Sequence, residues 1–141
     1  MPRSEEAASW YTMVYRAVRE IPYGRVTSYG HIALLLGYRE YNQVGMCLKY
    51  LPSATDQPDA RYNSDTVPWQ RVINSKGVIS QRRVFCRTNG AANQERVLSA
   101  EGVEVGRGDL GERTVDFSSY GWFPNVLPSE EEEESREEEG V

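Results

Sequence analysis

One histidine and two cysteines in 141 residues remove several kinds of chemistry at once. A Cys/His pair or a Ser/His/Asp set would have to be built around His31 alone, and spacing offers it no companions. His31 itself falls on the polar side of a short helix, where an exposed surface histidine is expected. Zinc ligation is not indicated, because Cys47 and Cys86 lie far apart and form no CxxC pair. GxGxxG, Walker and HExxH patterns are absent, and Gly106-Arg107-Gly108 reads as loop glycines rather than a phosphate cradle. No apolar run approaches the ~20 residues of a membrane span, and no basic-then-apolar segment opens the chain. An intracellular setting, nucleus or cytoplasm, with free thiols is the expectation.

Charge is the next constraint. The formal net charge of −5 is concentrated, because residues 129–141 hold eight Glu and one Arg. Without them, 15 Lys+Arg stand against 13 Asp+Glu, a balance of +2. The body of the chain is mildly basic, which permits nucleic-acid binding without demanding it. So acidic an end is expected to stay disordered. The boundary is expected after residue 124, giving one domain over residues 4–124 and a tail over 125–141.

Along that domain the apolar spacing predicts a first helix over residues 4–20. Ser4 would cap it, and Trp10, Met13, Val14, Ala17, Val18 and Ile21 would face inward. Thr27-Ser28 caps a second helix over residues 29–36, which Gly37 stops, and a third runs over residues 41–51. Two short helices around a tight turn have the shape of a helix-turn-helix. Gly45 on the third helix either lets a ligand approach closely or lets helices pack, and the residues leave both open. Residues 53–66 form a long polar loop, functional or mobile. A fourth helix over residues 91–100 turns Val97 and Leu98 inward, and residues 103–105 and 114–117 alternate like an antiparallel pair.

The chain is organised around Val67-Pro68-Trp69-Gln70-Arg71-Val72. Pro68 biases Val67 toward an extended backbone, so a tight corner should present Trp69. Val72-Ile73, turn residues 74–77 and Val78-Ile79 would then form a small hairpin, a wing behind the helix pair. Arg82, Arg83 and Arg87 cluster around Phe85 just beyond it. From these features Trp69 is equally a core residue or a site wall.

Several motifs nonetheless fall together. The stretch from Glu20 to Gly30 (Glu-Ile-Pro-Tyr-Gly-Arg-Val-Thr-Ser-Tyr-Gly), then Gln43-Val44-Gly45, Pro68-Trp69-Gln70-Arg71-Val72-Ile73 and Glu101-Gly102-Val103 resemble the C-terminal domain of O6-alkylguanine-DNA alkyltransferases. That resemblance implies an α+β, mostly α fold with a winged helix-turn-helix. In the repair enzymes the signature reads Pro-Cys-His-Arg-Val, the cysteine accepting the alkyl group. Here Trp69 takes the cysteine position and Gln70 the histidine position, which marks the non-catalytic, alkyltransferase-like relatives. Indole is not a nucleophile and an amide takes no proton, so no enzyme activity is expected. Cys47 and Cys86 match no nucleophile position, and Glu101 is the remnant of a Cys-His-Glu relay.

The resemblance further implies a third helix docked in the minor groove and a guanine flipped out of the stack. Tyr29 would press on the adjacent phosphate, and Trp69, Gln70, Arg71 and Val72 would surround the base. Arg82 would sense its potential, while Gly30, Gln43 and Gly45 would approach the DNA. Where the family places an arginine finger this chain has Asn42, with Arg39 three residues upstream. The partners so implied are duplex DNA carrying O6-alkylguanine and nucleotide excision repair proteins, with no membrane, cofactor or metal, and a monomeric chain. The alternatives are a general minor-groove protein without lesion preference, an active transferase using another cysteine, and a protein-interaction module.

Overall fold

A computed structural model describes residues 5–37, 41–79 and 90–131, with side chains from residues 10, 43 and 90 onward in those segments. Helix α1 (Glu5–Arg19) buries Val14, Tyr15, Ala17 and Val18, and Ile21 follows just beyond it. Trp10 is half-buried as a neighbour of that core, but Met13 is 37% exposed, contrary to expectation. Tyr15 is the inward residue instead, because its hydroxyl donates to the Cys47 carbonyl at 2.6 Å and so joins α1 to the third helix. The Ser4 cap lies outside the described residues.

Ser28 caps helix α2 (Tyr29–Leu35) as expected, its Oγ accepting from the His31 amide at 3.0 Å. Gly37, at φ 79°, ends the segment in the left-handed region that suits glycine. Helix α3 (Tyr41–Lys49) then turns Val44, Cys47 and Leu48 inward, with Leu51 beyond its end. His31 is not the exposed residue expected. Its Nε2 donates to the Pro124 carbonyl at 2.8 Å and its ring meets Phe123 edge-on at 5.1 Å, so it latches the later chain onto α2.

The loop of residues 53–66 is held by Asn63, which is 2% exposed. Its Nδ2 donates to the carbonyls of Gln57, Pro58 and Ala60, and its Oδ1 accepts from the amides of Asp65 and Thr66. One buried amide thereby supplements the loop's own backbone bonds, such as those from the Gln57 amide to the Ser53 carbonyl at 2.8 Å and from the Ser64 amide to the Pro52 carbonyl at 2.9 Å. The corner follows as a single 3₁₀ turn, Trp69–Arg71.

The expected hairpin beyond it is not what forms. Strand β2 (Val72–Ile73) pairs in parallel with β1 (Thr27–Ser28), Thr27 opposite Val72 and Ser28 opposite Ile73. Val26 bridges Gly121 next to β1, and Val78 bridges Thr114. The turn of residues 74–77 does form, with Asn74 Oδ1 accepting from the amides of Lys76 and Val78. Beyond the bond from the Asn74 amide to the Val78 carbonyl at 3.3 Å its two arms part, one pairing with β1 and the other with the chain around Thr114. Gly77 sits so close to the Val115 carbonyl that an added Cβ would lie 2.7 Å from it.

Helix α4 (Gly90–Ala100) buries Ala91, Gln94 and Leu98, while Val97 is only half-buried. Strands β3 (Gly106–Arg107) and β4 (Arg113–Thr114) pair antiparallel, nearer the turn than the expected 103–105 and 114–117. Two things draw the pairing there: Gly111 at φ 81°, and Arg107 and Arg113 converging on Glu95 of α4. Phe117 instead begins a short helix, α5 (Phe117–Tyr120), capped by Asp116. The observed class is α+β and mostly α.

Past the expected boundary at residue 124 the chain still makes contacts with the body. Leu127 is 5% exposed within the core that also holds Val14, Val18 and Trp69. The Ser129 amide and hydroxyl donate to the two carboxylate oxygens of Glu20 at 2.9 and 3.0 Å, so the chain is pinned to the residue that follows α1 well past residue 124. Residues 132–141 lie outside the described part. No helix among the described residues is long and apolar enough to cross a membrane. If Leu127 anchors this segment, Leu127→Ala should lower stability in urea by about 2–4 kcal/mol. Val126→Ala, at a 37% exposed neighbour, should change it by less than about 0.5 kcal/mol. Equal effects of the two would show that the anchor is not there.

Candidate nucleic-acid interface

The corner is held in place by a carboxylate. Glu101 lies just past α4, where Gly102 at φ 89° turns the chain back. Its Oε1 accepts from the Gly24 amide at 2.9 Å and from Arg71 Nε at 2.9 Å, and its Oε2 accepts from Gln70 Nε2 at 2.6 Å. Arg71 also donates from Nη1 to the Ile21 carbonyl at 2.8 Å, and its guanidinium stands 5.5 Å from the centre of the Tyr23 ring. Tyr23 in turn donates to the Ala100 carbonyl. The end of α1, the corner and the end of α4 are thus clasped around one acidic side chain that is only 6% exposed.

Burial pushes the Glu101 carboxyl up, but the Gly24 amide, the Gln70 amide and the Arg71 guanidinium outweigh it and hold the group below the ordinary 4.5. Glu101 is therefore an ionised anchor. Gln70 completes the network by donating, which an amide does without any capacity to take up a proton.

Of the residues marked in the sequence, the structure joins Gln70, Arg71 and Glu101 directly. Arg71 spans from the corner to α1, a tying role, and Val72 is fully buried. Trp69 is 7% exposed and belongs to one core cluster, against which Tyr29 packs half-buried. A cleft of about 310 Å³ beside the corner is lined by residues 64–68 with Arg19, Gln70 and Arg71, and neither Trp69 nor Tyr29 lines it. Gly30 is the second residue of α2. Gln43 is exposed on α3, and a Cβ on Gly45 would meet nothing within 4 Å. Helix packing does not require that glycine. Arg39, Arg82 and the cluster around Phe85 lie outside the described residues, as does the Asn42 side chain.

Two contributors escaped the sequence reading. Gln94 donates from Nε2 to the carbonyls of Gln70 and Val72, both at 3.0 Å, and so fixes the corner's backbone from α4. Its place in the helical stripe, at i−4 from Leu98, was the available signal. The Gly24 amide was the other, and a backbone donor leaves no mark in residue type. Among the described residues Cys47 is in no disulfide and lies fully buried in α3, and no group of three or more His, Cys, Asp or Glu could hold a metal ion.

Because the folded Glu101 carboxyl titrates below its unfolded value, its stabilisation is complete above about pH 5 and is lost as pH falls through the folded value. Glu101→Gln should cost about 3 kcal/mol at neutral pH. Its deficit against the unmodified chain should narrow in urea melts taken toward pH 3. Parallel pH profiles for the two chains would contradict the anchor's ionised state.

Comparison with known proteins gives the family of the chain. Residues 9–103 match the model of the 6-O-methylguanine DNA methyltransferase DNA-binding domain. Alkyltransferase-like protein 1 of Schizosaccharomyces pombe is 42% identical over 116 residues, which cover 82% of this chain and 95% of that one. A DNA base-flipping protein of Escherichia coli K12 is 35% identical over 121 residues, 85% of this chain and 79% of that one. The crystal structure of S. pombe Atl1 in complex with damaged DNA containing O6-carboxymethylguanine is similar at TM-score 0.67 and 40% identity, over 87% of this chain and all of that one. The chain belongs to the 6-O-methylguanine DNA methyltransferase DNA-binding-domain family, among its alkyltransferase-like proteins.

Proposed function

We propose that this protein senses damage in duplex DNA, binding O6-alkylguanine by base flipping without removing the alkyl group. The observation that carries the reading is the Trp69-Gln70 corner with Gln70 committed as a donor to Glu101. Alkyl transfer needs a thiolate and a neighbouring base, and the corner offers an indole and an amide instead. Relatives named for base flipping, and one solved on DNA containing O6-carboxymethylguanine, support the lesion side.

In this reading α3 enters the minor groove and Tyr29, opening α2, meets the phosphate beside the extruded nucleotide. The base would contact Trp69, and aromatic stacking of a base is worth on the order of 1–3 kcal/mol. Extrusion costs a few kcal/mol and less for a poorly paired O6-alkylguanine, so pairing weakness itself selects the lesion. Arg82 would read the base's potential, and Asn42 or Arg39 would occupy the gap in the stack. The bound, unrepaired lesion would then be handed to nucleotide excision repair proteins, with the protein acting as a monomer inside the cell. Because Trp69 is 7% exposed, a second reading stands beside this one: minor-groove binding with no lesion preference.

The two readings separate in a titration of labelled duplexes with and without one O6-methylguanine. The lesion duplex should bind on the order of tenfold more tightly, and equal affinity would favour the general binder. Tyr29→Phe should weaken binding about fivefold. Trp69→Cys should gain no methyl mass from the lesion duplex in mass spectrometry, since Gln70 still provides no base. A methylated Trp69→Cys protein would disprove the argument from the corner.

A further inference from the structure

The outward face of α3 is unusual for a helix that meets a polyanion. Gln43, Met46 and Tyr50 follow one another at helical spacing, with Met46 51% and Tyr50 52% exposed. The one charged residue of α3 is Lys49, whose ammonium stands 6.0 Å from the centre of the Tyr50 ring. A helix that reads base edges in the major groove uses arginines and amides, and one that grips phosphates uses several cations. Among the described residues, Gln43 is the one amide and Lys49 the one cation on this face. Gly45, next to Met46, leaves the helix backbone bare, with open space where a side chain would stand.

A bare backbone flanked by exposed apolar side chains fits a narrow groove walled by deoxyribose hydrocarbon. Methionine and other apolar residues act there as wedges between base steps. We propose that Met46 and Tyr50 form an apolar rail along the minor groove, with Met46 as a wedge beside the flipped nucleotide and Lys49 meeting a phosphate at the rail's end. Asn42, one turn before Met46 on the same helix, is uncharged. Met46 supplies hydrocarbon where an arginine would supply charge. This inference rests on the DNA-binding reading above and names residues that set its affinity.

An apolar rail has a distinguishing property: it displaces no condensed counterions, so its contribution is independent of salt. Fluorescence anisotropy on lesion and guanine duplexes, between about 50 and 200 mM salt, would compare the full chain with its variants. Met46→Ala should weaken both duplexes about tenfold and leave the slope of log K against log salt unchanged. Met46→Leu should stay within about threefold of the parent. Lys49→Ala should reduce the slope by about one. Alanine at an exposed helical position leaves the fold intact, which circular dichroism verifies.

Unaltered affinity of Met46→Ala for both duplexes overturns the rail, and so does a loss accompanied by a shallower salt slope. If the duplexes bind equally and Met46→Ala weakens both, lesion sensing falls and the rail stands. If the lesion duplex is preferred and Met46→Ala is neutral, the rail alone falls.

Discussion

Everything in this fold that concerns the corner depends on one buried carboxylate and its three donors. Glu101 collects the Gly24 amide, the Gln70 amide and the Arg71 guanidinium, and each belongs to a different stretch of chain. A desolvated carboxylate is tolerable only when its oxygens are satisfied, so the three stretches are obliged to meet. Their meeting places Trp69 against the core and leaves the 3₁₀ turn no freedom to rotate it outward. Gln94 fixes the same turn from the opposite side by holding its carbonyls. The corner is therefore a rigid element, set by charge in front and by amide bonds behind.

The fold was legible in the sequence where one residue decides the local outcome. Ser28 as a cap, Gly37 as a stop and the inward set of α3 follow from capping chemistry and helical spacing, and the structure has them. What escaped was decided by distant partners. Val72-Ile73 suits a strand, but nothing local says that its partner is Thr27-Ser28 rather than Val78-Ile79. His31 read as a surface residue because Pro124 and Phe123 are more than ninety positions away. Leu127 was hidden by the acid run behind it, whose charge dominates any window that contains both. At the site, the signature residues were legible as a motif, and the clasp that makes Gln70 a donor was not.

The corner's geometry is carried by its polar residues. Glu101 and Arg71 are bonded, the corner is a 3₁₀ turn, and the Gln70 amide donates to the same carboxylate. Trp69 stands between these bonded residues and the core, where its indole fills volume beside Val14, Val18 and Leu127.

The parallel pairing of β1 with β2 has a consequence for how the molecule comes together. Parallel neighbours cannot be joined by a tight turn, and here the connection from Ser28 to Val72 contains α2, α3 and the Asn63 loop. The helix-turn-helix thus lies inside a ring that the corner closes. Such closure is a long-range event, slow relative to helix formation, and it sets a late, cooperative step in folding. Opening of the corner in the native state would release the two helices with it, so amides in α2, α3 and the corner should share a single exchange behaviour as one unit. The two helices are then no detachable module: their persistence is governed by the same closure that seats Trp69.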